Sequence, residues 1–139
     1  MIVLDTGGLY AALDENESLH ERCAAALLAA EPPRILSPFV LAELDYLIGK
    51  RMGQSAALSL LDEVARGVYR LEAFDEKDVA LAQRIIERYE KLEIGLADAS
   101  VVVLADRHRT RDLLCTDQRH FRQMTARGRK PFRLLPYDA

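Results

Sequence analysis

Met1-Ile2-Val3-Leu4-Asp5-Thr6-Gly7-Gly8 is an apolar run that ends on a carboxylate and passes through two glycines into the helical stretch Leu9-Tyr10-Ala11-Ala12-Leu13. Ile2-Val3-Leu4 shows no polar alternation, so it reads as a strand buried on both faces, the pattern of a parallel sheet sandwiched between helices. Asp5 then stands at the carboxyl end of that strand. In open α/β sheets this is the edge where ligands bind, because strand tips and helix N-termini leave a crevice at the topological switch point. Asp112-Leu113-Leu114-Cys115-Thr116-Asp117 repeats the theme, an apolar strand that delivers a carboxylate at its end. If the two strands are parallel neighbours across the switch point, their tips lie about 5 Å apart and can share a cation.

The 139 residues suit a single domain, spanning 1–139, with a real core and no room for a separate recognition domain. No run of about 18 apolar residues occurs and Met1 leads straight into a strand, so a soluble, cytoplasmic protein with no membrane partner is expected. Cys23 and Cys115 are far apart, and His20, His108 and His120 lack metal-binding spacing, which argues against zinc and against a disulfide framework. The net charge of −3 hides an asymmetry. Residues 1–104 carry 10 Lys/Arg against 18 Asp/Glu, whereas 105–139 carry 9 against 4. The tail is a basic surface, either a solvated face or a nucleic-acid footprint.

Between the two carboxylate-tipped strands the pattern alternates. Ser18-Leu19-His20-Glu21 has capping-box spacing and predicts a helix to about Ala30, stopped by Pro32-Pro33. Arg34-Ile35-Leu36 is a second strand; Ser37 as N-cap and Pro38 open a helix that runs to about Met52 and Gly53. Gln54 to Arg66 is a further helix, Val68-Tyr69-Arg70-Leu71 a third strand, and Asp75-Glu76-Lys77-Asp78 begins a long amphipathic helix. Phe132-Arg133-Leu134-Leu135-Pro136 predicts a last edge strand. The fold class is therefore α/β.

Two more acids stand out. On a wheel at about 100° per residue, Glu43 falls between Phe39 and Leu47 inside the apolar arc, while Asp45 falls outside it. A carboxylate facing the core or a site calls for a cation partner, either an arginine or a metal. Asp98, in the nearly all-apolar helix Gly95 to Ala105, shares a face with Val101, Val102 and Ala105 and so points into packed material or a cleft. Asp5, Glu43, Asp98 and Asp117 thus each occupy a place where an apolar residue would cost less. Four converging carboxylates repel one another, and the arrangement makes sense around a hard cation, Mg²⁺ or Mn²⁺. Oxygen-only ligation points away from zinc. Such a site suits in-line phosphodiester hydrolysis. Arg107, Arg109, Arg111, Arg119 and Arg122, which flank the strand ending at Asp117, are expected to rim it and hold the substrate's phosphates.

Val3-Leu4-Asp5-Thr6, Ser37-Pro38 through Ala42-Glu43-Leu44, Gly95-Leu96-Ala97-Asp98-Ala99, and Thr116-Asp117 with Arg119-His120-Phe121 together resemble the PIN-domain ribonucleases, specifically the VapC toxins of bacterial toxin–antitoxin pairs. The resemblance spans the chain. It implies a PIN-like three-layer α/β/α domain with a central parallel sheet, and a metal site formed by Asp5, Glu43, Asp98 and Asp117. It also implies a homodimer and a cognate VapB-type antitoxin whose C-terminal segment enters the site. Many relatives have serine where this chain has Gly7 and threonine where it has Cys115, so Thr6 and Thr116 become the candidates to orient the acids by hydrogen bonding. Ala42 to Leu47 and Ala105 to Thr110 look closest to an actinobacterial subgroup, some of which cut the sarcin-ricin loop of large-subunit rRNA; other members of the family cut tRNA. Asp5-Thr6-Gly7 also spells the aspartic-protease triplet, which needs an all-β frame that these helices exclude. A haloacid-dehalogenase phosphatase needs a second Asp where Gly7 stands. A PIN fold kept only for binding is the non-enzymatic alternative, disfavoured by the intact quartet.

Overall fold

The structure, a computed structural model, describes residues 1–126 and 130–139. In chain order the elements are β1 (Ile2–Leu4), α1 (Thr6–Leu13), α2 (His20–Ala29), β2 (Arg34–Leu36), α3 (Pro38–Met52), α4 (Gln54–Ala65), β3 (Arg70–Leu71) and α5 (Glu76–Arg88). A 3₁₀ turn (Glu90–Leu92) leads to α6 (Leu96–His108), β4 (Asp112–Leu114), α7 (Gln118–Phe121), β5 (Thr125–Ala126), β6 (Lys130–Pro131) and β7 (Arg133–Leu135). Five strands form one sheet in the order β3-β2-β1-β4-β7, every neighbouring pair parallel. Helices flank this sheet in the PIN-like three-layer arrangement, and β5 and β6 make a separate antiparallel ribbon.

β1 is the centre of the sheet because it can be buried on both faces: Ile2, Val3 and Leu4 are all buried, opposite Arg34, Ile35 and Leu36 on one side. On the other side Val3 faces Leu113 and Leu4 faces Leu114. The chain steps outward from β1 to β2 and β3, then returns past β1 to β4, which makes the β1/β4 boundary the switch point. The two carboxylate-tipped strands are therefore parallel neighbours. Of α6, Ala99 to Ala105 is wholly buried, as a helix apolar on nearly every side should be.

Several boundaries differ from the sequence reading. Helix α1 begins at Thr6, with both glycines inside it. The reason is packing: a Cβ on Gly8 would stand 2.3 Å from the Leu114 carbonyl oxygen, so bare backbone lets α1 press on the end of β4. The Ser18 capping box does not form. Leu19 is the N-cap of α2 with no side-chain bond, and backbone turn bonds, Glu17 N–H to Asp14 O and His20 N–H to Glu17 O, lead into the helix instead. The reciprocal box is found at α5, where Asp75 accepts from Asp78 N–H and Asp78 accepts from Asp75 N–H. β3 is two residues long, an edge strand with both residues exposed. Among the described residues no helix is long and apolar enough to cross a membrane.

Candidate active site

The crevice over the C-terminal ends of β1 and β4 is built from backbone first. Asp5 N–H donates to Leu114 O at 2.9 Å, tying the two strand tips together. Gly7 then brings α1 against the β4–α7 loop so closely that a Cβ there would lie 2.4 Å from Thr116 Oγ1. Asp117 follows at the N-cap of α7, its Oδ1 accepting from His120 N–H at 3.3 Å. Asp98 stands in the first turn of α6. Glu43 comes from the second turn of α3 and accepts a hydrogen bond from Thr6 Oγ1 at 2.7 Å.

The helices bearing Glu43 and Asp98 are bolted together at their starts. Ser100 Oγ donates to Ala97 O at 2.6 Å, which commits its proton, so the 2.7 Å contact with Ser37 has the Ser37 hydroxyl donating. Ser37 Oγ in turn accepts from Phe39 N–H, capping α3. Both serines are fully buried.

Electrostatically the four acids act as one group. Asp5 is 5% exposed. Burial, chiefly, and then the charges of Asp98, Asp117 and Glu43 push its carboxyl up to about 7, against the lowering effect of the Thr6 N–H. Asp98 is also raised, first by burial and then by Asp117 and Glu43, although His120 opposes the rise. His120 Nδ1 lies 2.9 Å from Asp117 Oδ2 and 3.9 Å from Asp98 Oδ2, yet it is buried and makes no well-directed hydrogen bond. Asp45, exposed on the far side of α3, is not among the groups that act on Asp5 or Asp98.

One alternative closes here and one expectation is corrected. Of the two places left open for Glu43, core or site, the structure gives the site: Val40, Leu44 and Ile48 hold the buried arc of α3 while Glu43 is exposed at the mouth of the crevice, and its partner is a hydroxyl and not an arginine. The four acids share a field, but among the described residues no three carboxylate, imidazole or thiolate groups are close enough to form a cage as they stand. The donor set nevertheless fits a hard divalent cation: carboxylate oxygens only, one of them on a residue whose charge is costly without a counter-charge, and a buried imidazole nitrogen beside two of the acids.

The arginines divide sharply. Arg107 is held by Asp78 at 2.8 Å, Glu72 at 3.2 Å and the Ala73 carbonyl at 2.9 Å. Arg109 is the left-handed residue that ends α6, and Arg111 donates to Pro131 O at 3.3 Å. Arg107 is thus held against residues that follow β3, the edge strand across the sheet from β4, while Arg109 and Arg111 precede the first residue of β4, where Thr110 Oγ1 donates to Met1 O; none of the three is among the groups that act on Asp5 or Asp98. Adjacency to a strand in sequence is not adjacency to its tip. Arg122 is closed in a fork on Asp138, Nη1 to Oδ2 and Nη2 to Oδ1, both at 2.7 Å. Arg119 alone of the five is exposed beside Asp117 with no side-chain partner among the described residues. Arg127 and Arg129, counted in the basic tail, lie outside the described residues.

Sequence reasoning missed His120 as a neighbour of the acids, Ser100 as the partner of Ser37, and the contacts of Tyr137 and Asp138 with the Asp117 loop. For His120 a signal existed: it is three residues after an Asp at a helix start, where side chains meet.

A parallel sheet with acids at its switch point defines a class of protein, and comparison with known families agrees. The PIN domain family model matches residues 2–126. Ribonuclease VapC26 of Mycobacterium tuberculosis (strain ATCC 25618 / H37Rv) is 38% identical over 135 residues, covering 97% of this chain and 100% of the relative. The chain belongs to the PIN-domain family, and within it to the VapC ribonucleases, the toxin half of VapBC pairs. Among solved structures, Mycobacterium tuberculosis VapC20, a sarcin-ricin loop cleaving toxin, superposes with a TM-score of 0.79 at 19% identity over 86% of this chain and 92% of that one. VapBC2 from Rickettsia felis, bound to a DNA fragment from its promoter, gives a TM-score of 0.68 at 21% identity over 96% and 98%. These last two likenesses show the fold.

Proposed function

We propose that the protein is a Mg²⁺- or Mn²⁺-dependent endoribonuclease, carried by one PIN domain, that cuts structured RNA in the cytoplasm and so inhibits translation. The observation that carries this reading is Asp5, buried in the field of Asp98, Asp117 and Glu43 and driven up to about 7, a cost that a bound cation would relieve. Asp5, Asp98 and Asp117, with Glu43, would hold the ion, which when bound supplies Lewis-acid stabilisation of the phosphoryl charge and an activated water. Thr6 fixes the Glu43 carboxylate through its hydroxyl. Arg119, exposed two residues after Asp117, would take an RNA phosphate.

The sarcin-ricin loop is the first substrate to try, because VapC20 cleaves it, with tRNA the alternative. A VapB-type antitoxin as partner rests on kinship with VapC proteins and on the VapBC2 likeness, and a homodimer rests on kinship alone. The test is cleavage of total RNA by the purified protein with Mg²⁺, with Mn²⁺ and with EDTA. Asp98→Asn should reduce cleavage at least ~100-fold while leaving the fold intact, because an amide binds a hard cation poorly. Full activity in EDTA, or in the Asp98→Asn protein, would sink the reading; RNA binding without any cleavage would leave a PIN fold kept for binding.

A further inference from the structure

Beyond residue 126, where the family match ends, the chain returns to the site. After β7 it turns, Asp138 N–H donating to Leu134 O and Leu134 N–H to Asp138 Oδ2, both at 2.7 Å. This closed turn puts two side chains against the β4–α7 loop. Tyr137 Oη donates to the Thr116 carbonyl oxygen at 3.0 Å, the peptide group immediately before Asp117. Asp138 holds the Arg122 fork, and Arg122 reaches back with Nε at 3.2 Å and Nη2 at 3.0 Å to Gln118 Oε1, the side chain immediately after Asp117. The Arg22 guanidinium of α2 lies 5.6 Å from the centre of the Tyr137 ring and contacts the Pro136 carbonyl, so the turn is itself clamped.

Asp117 is thus gripped on both sides by one segment. Its own side chain is 38% exposed and, among the described residues, tied to His120 in a four-residue helix too short to fix its own direction. A planar fork closed on a carboxylate is among the most directional contacts available to a surface side chain.

We propose that Tyr137 and Asp138 are positioning residues for Asp117: the turn after β7 sets the direction in which Asp117 presents its carboxylate to a divalent cation. The inference rests on the reading that Asp117 belongs to the metal site. It assigns Arg122 to the clamp rather than to RNA.

The experiment is calorimetric titration of Mn²⁺ into the full chain without RNA, for wild type, Asp117→Asn, Tyr137→Phe and Tyr137→Phe/Asp138→Asn, with melting temperature and circular dichroism as fold controls. Tyr137→Phe removes one hydroxyl and keeps the ring under Arg22. Loss of outer hydrogen bonds that orient a ligand costs roughly 10–100-fold in metal affinity, and the double variant should show about tenfold weaker Mn²⁺ binding while its spectrum matches wild type. In RNA cleavage the same variant should need more Mn²⁺ for half-maximal rate yet approach the wild-type rate at saturation, which a smaller folded fraction cannot imitate. Should the double variant fail to fold, Tyr137→Phe alone carries the test, with a several-fold loss expected. Wild-type Mn²⁺ affinity in the folded variants overturns the proposal. If Asp117→Asn itself binds Mn²⁺ as wild type does, the site reading has failed, and the inference falls with it for that separate reason.

Discussion

Asp5 carries the largest penalty of any single residue in the site. Folding raises its carboxyl from the usual 3.8 to about 7, mainly through burial and then through Asp98, so the native state takes up a proton that the unfolded chain has released. The sign follows directly. Below about pH 4 Asp5 is protonated in both states and costs nothing; from there to about 7 stability falls as pH rises, and above 7 the full penalty is in place. Asp5→Asn should therefore melt several degrees higher than wild type at pH 8 in EDTA, with the gap closing as pH approaches 4. Equal melting temperatures at pH 8 would show that the charge is compensated by something other than a cation. The residue was legible in the sequence because a strand of three apolar residues ended on it. The size of its penalty was not, since that depends on Asp98 and Glu43, which are 93 and 38 positions away in the chain.

At the scale of the element, the junction of α1 with the end of β4 sets the site. A Cβ on Gly8 would meet Leu114 O at 2.3 Å and its carbonyl carbon at 2.5 Å, both backbone atoms of a central strand that cannot yield. Gly8→Ala should thus cost ~1–3 kcal/mol or more and lower the melting temperature by at least ~5 °C. Gly7→Ala should be milder, because its obstacle at 2.4 Å is the Thr116 hydroxyl, the end of a side chain that can rotate. Scanning calorimetry of the two variants decides, and a Gly8→Ala protein as stable as wild type would show that the junction of α1 with β4 does not need bare backbone at Gly8. The sequence placed a helix after the glycines, starting at Leu9. It could not place them inside the helix, because glycine's poor helix propensity is offset here by a contact with a strand 106 residues later.

Across the molecule, among the described residues, the arginines late in the chain are not all free to form one basic face. Arg107 neutralises Asp78 and Glu72, and Arg122 neutralises Asp138, whose carboxyl it holds down to about 2. Of the five named arginines, Arg119 is the one left exposed beside the acids. Its replacement by alanine should weaken RNA binding across sequences and reduce the steepness of log K against log salt by roughly 1, with melting unchanged. Arg107→Ala should do the reverse, lowering stability by leaving Glu72 and Asp78 without their shared cation while the salt dependence stays as in wild type. Filter-binding isotherms at several salt concentrations separate the two; a salt slope that moves with Arg107 and not with Arg119 would put the RNA on the other edge of the sheet.

The amino-acid sequence by itself determined that Ile2–Leu4 is a strand buried on both faces and that Asp5 and Asp117 each follow a short apolar strand, because period and burial along a single element are local properties of the chain. Only the tertiary structure decided that Glu43 faces outward to Thr6, that Arg107 is held by residues that follow β3, and that the segment after β7 grips the loop of Asp117. Each of these is a pairing between groups distant in sequence. Such pairings are set by how twisted strands and packed helices bring their ends together, and no spacing along the chain encodes them.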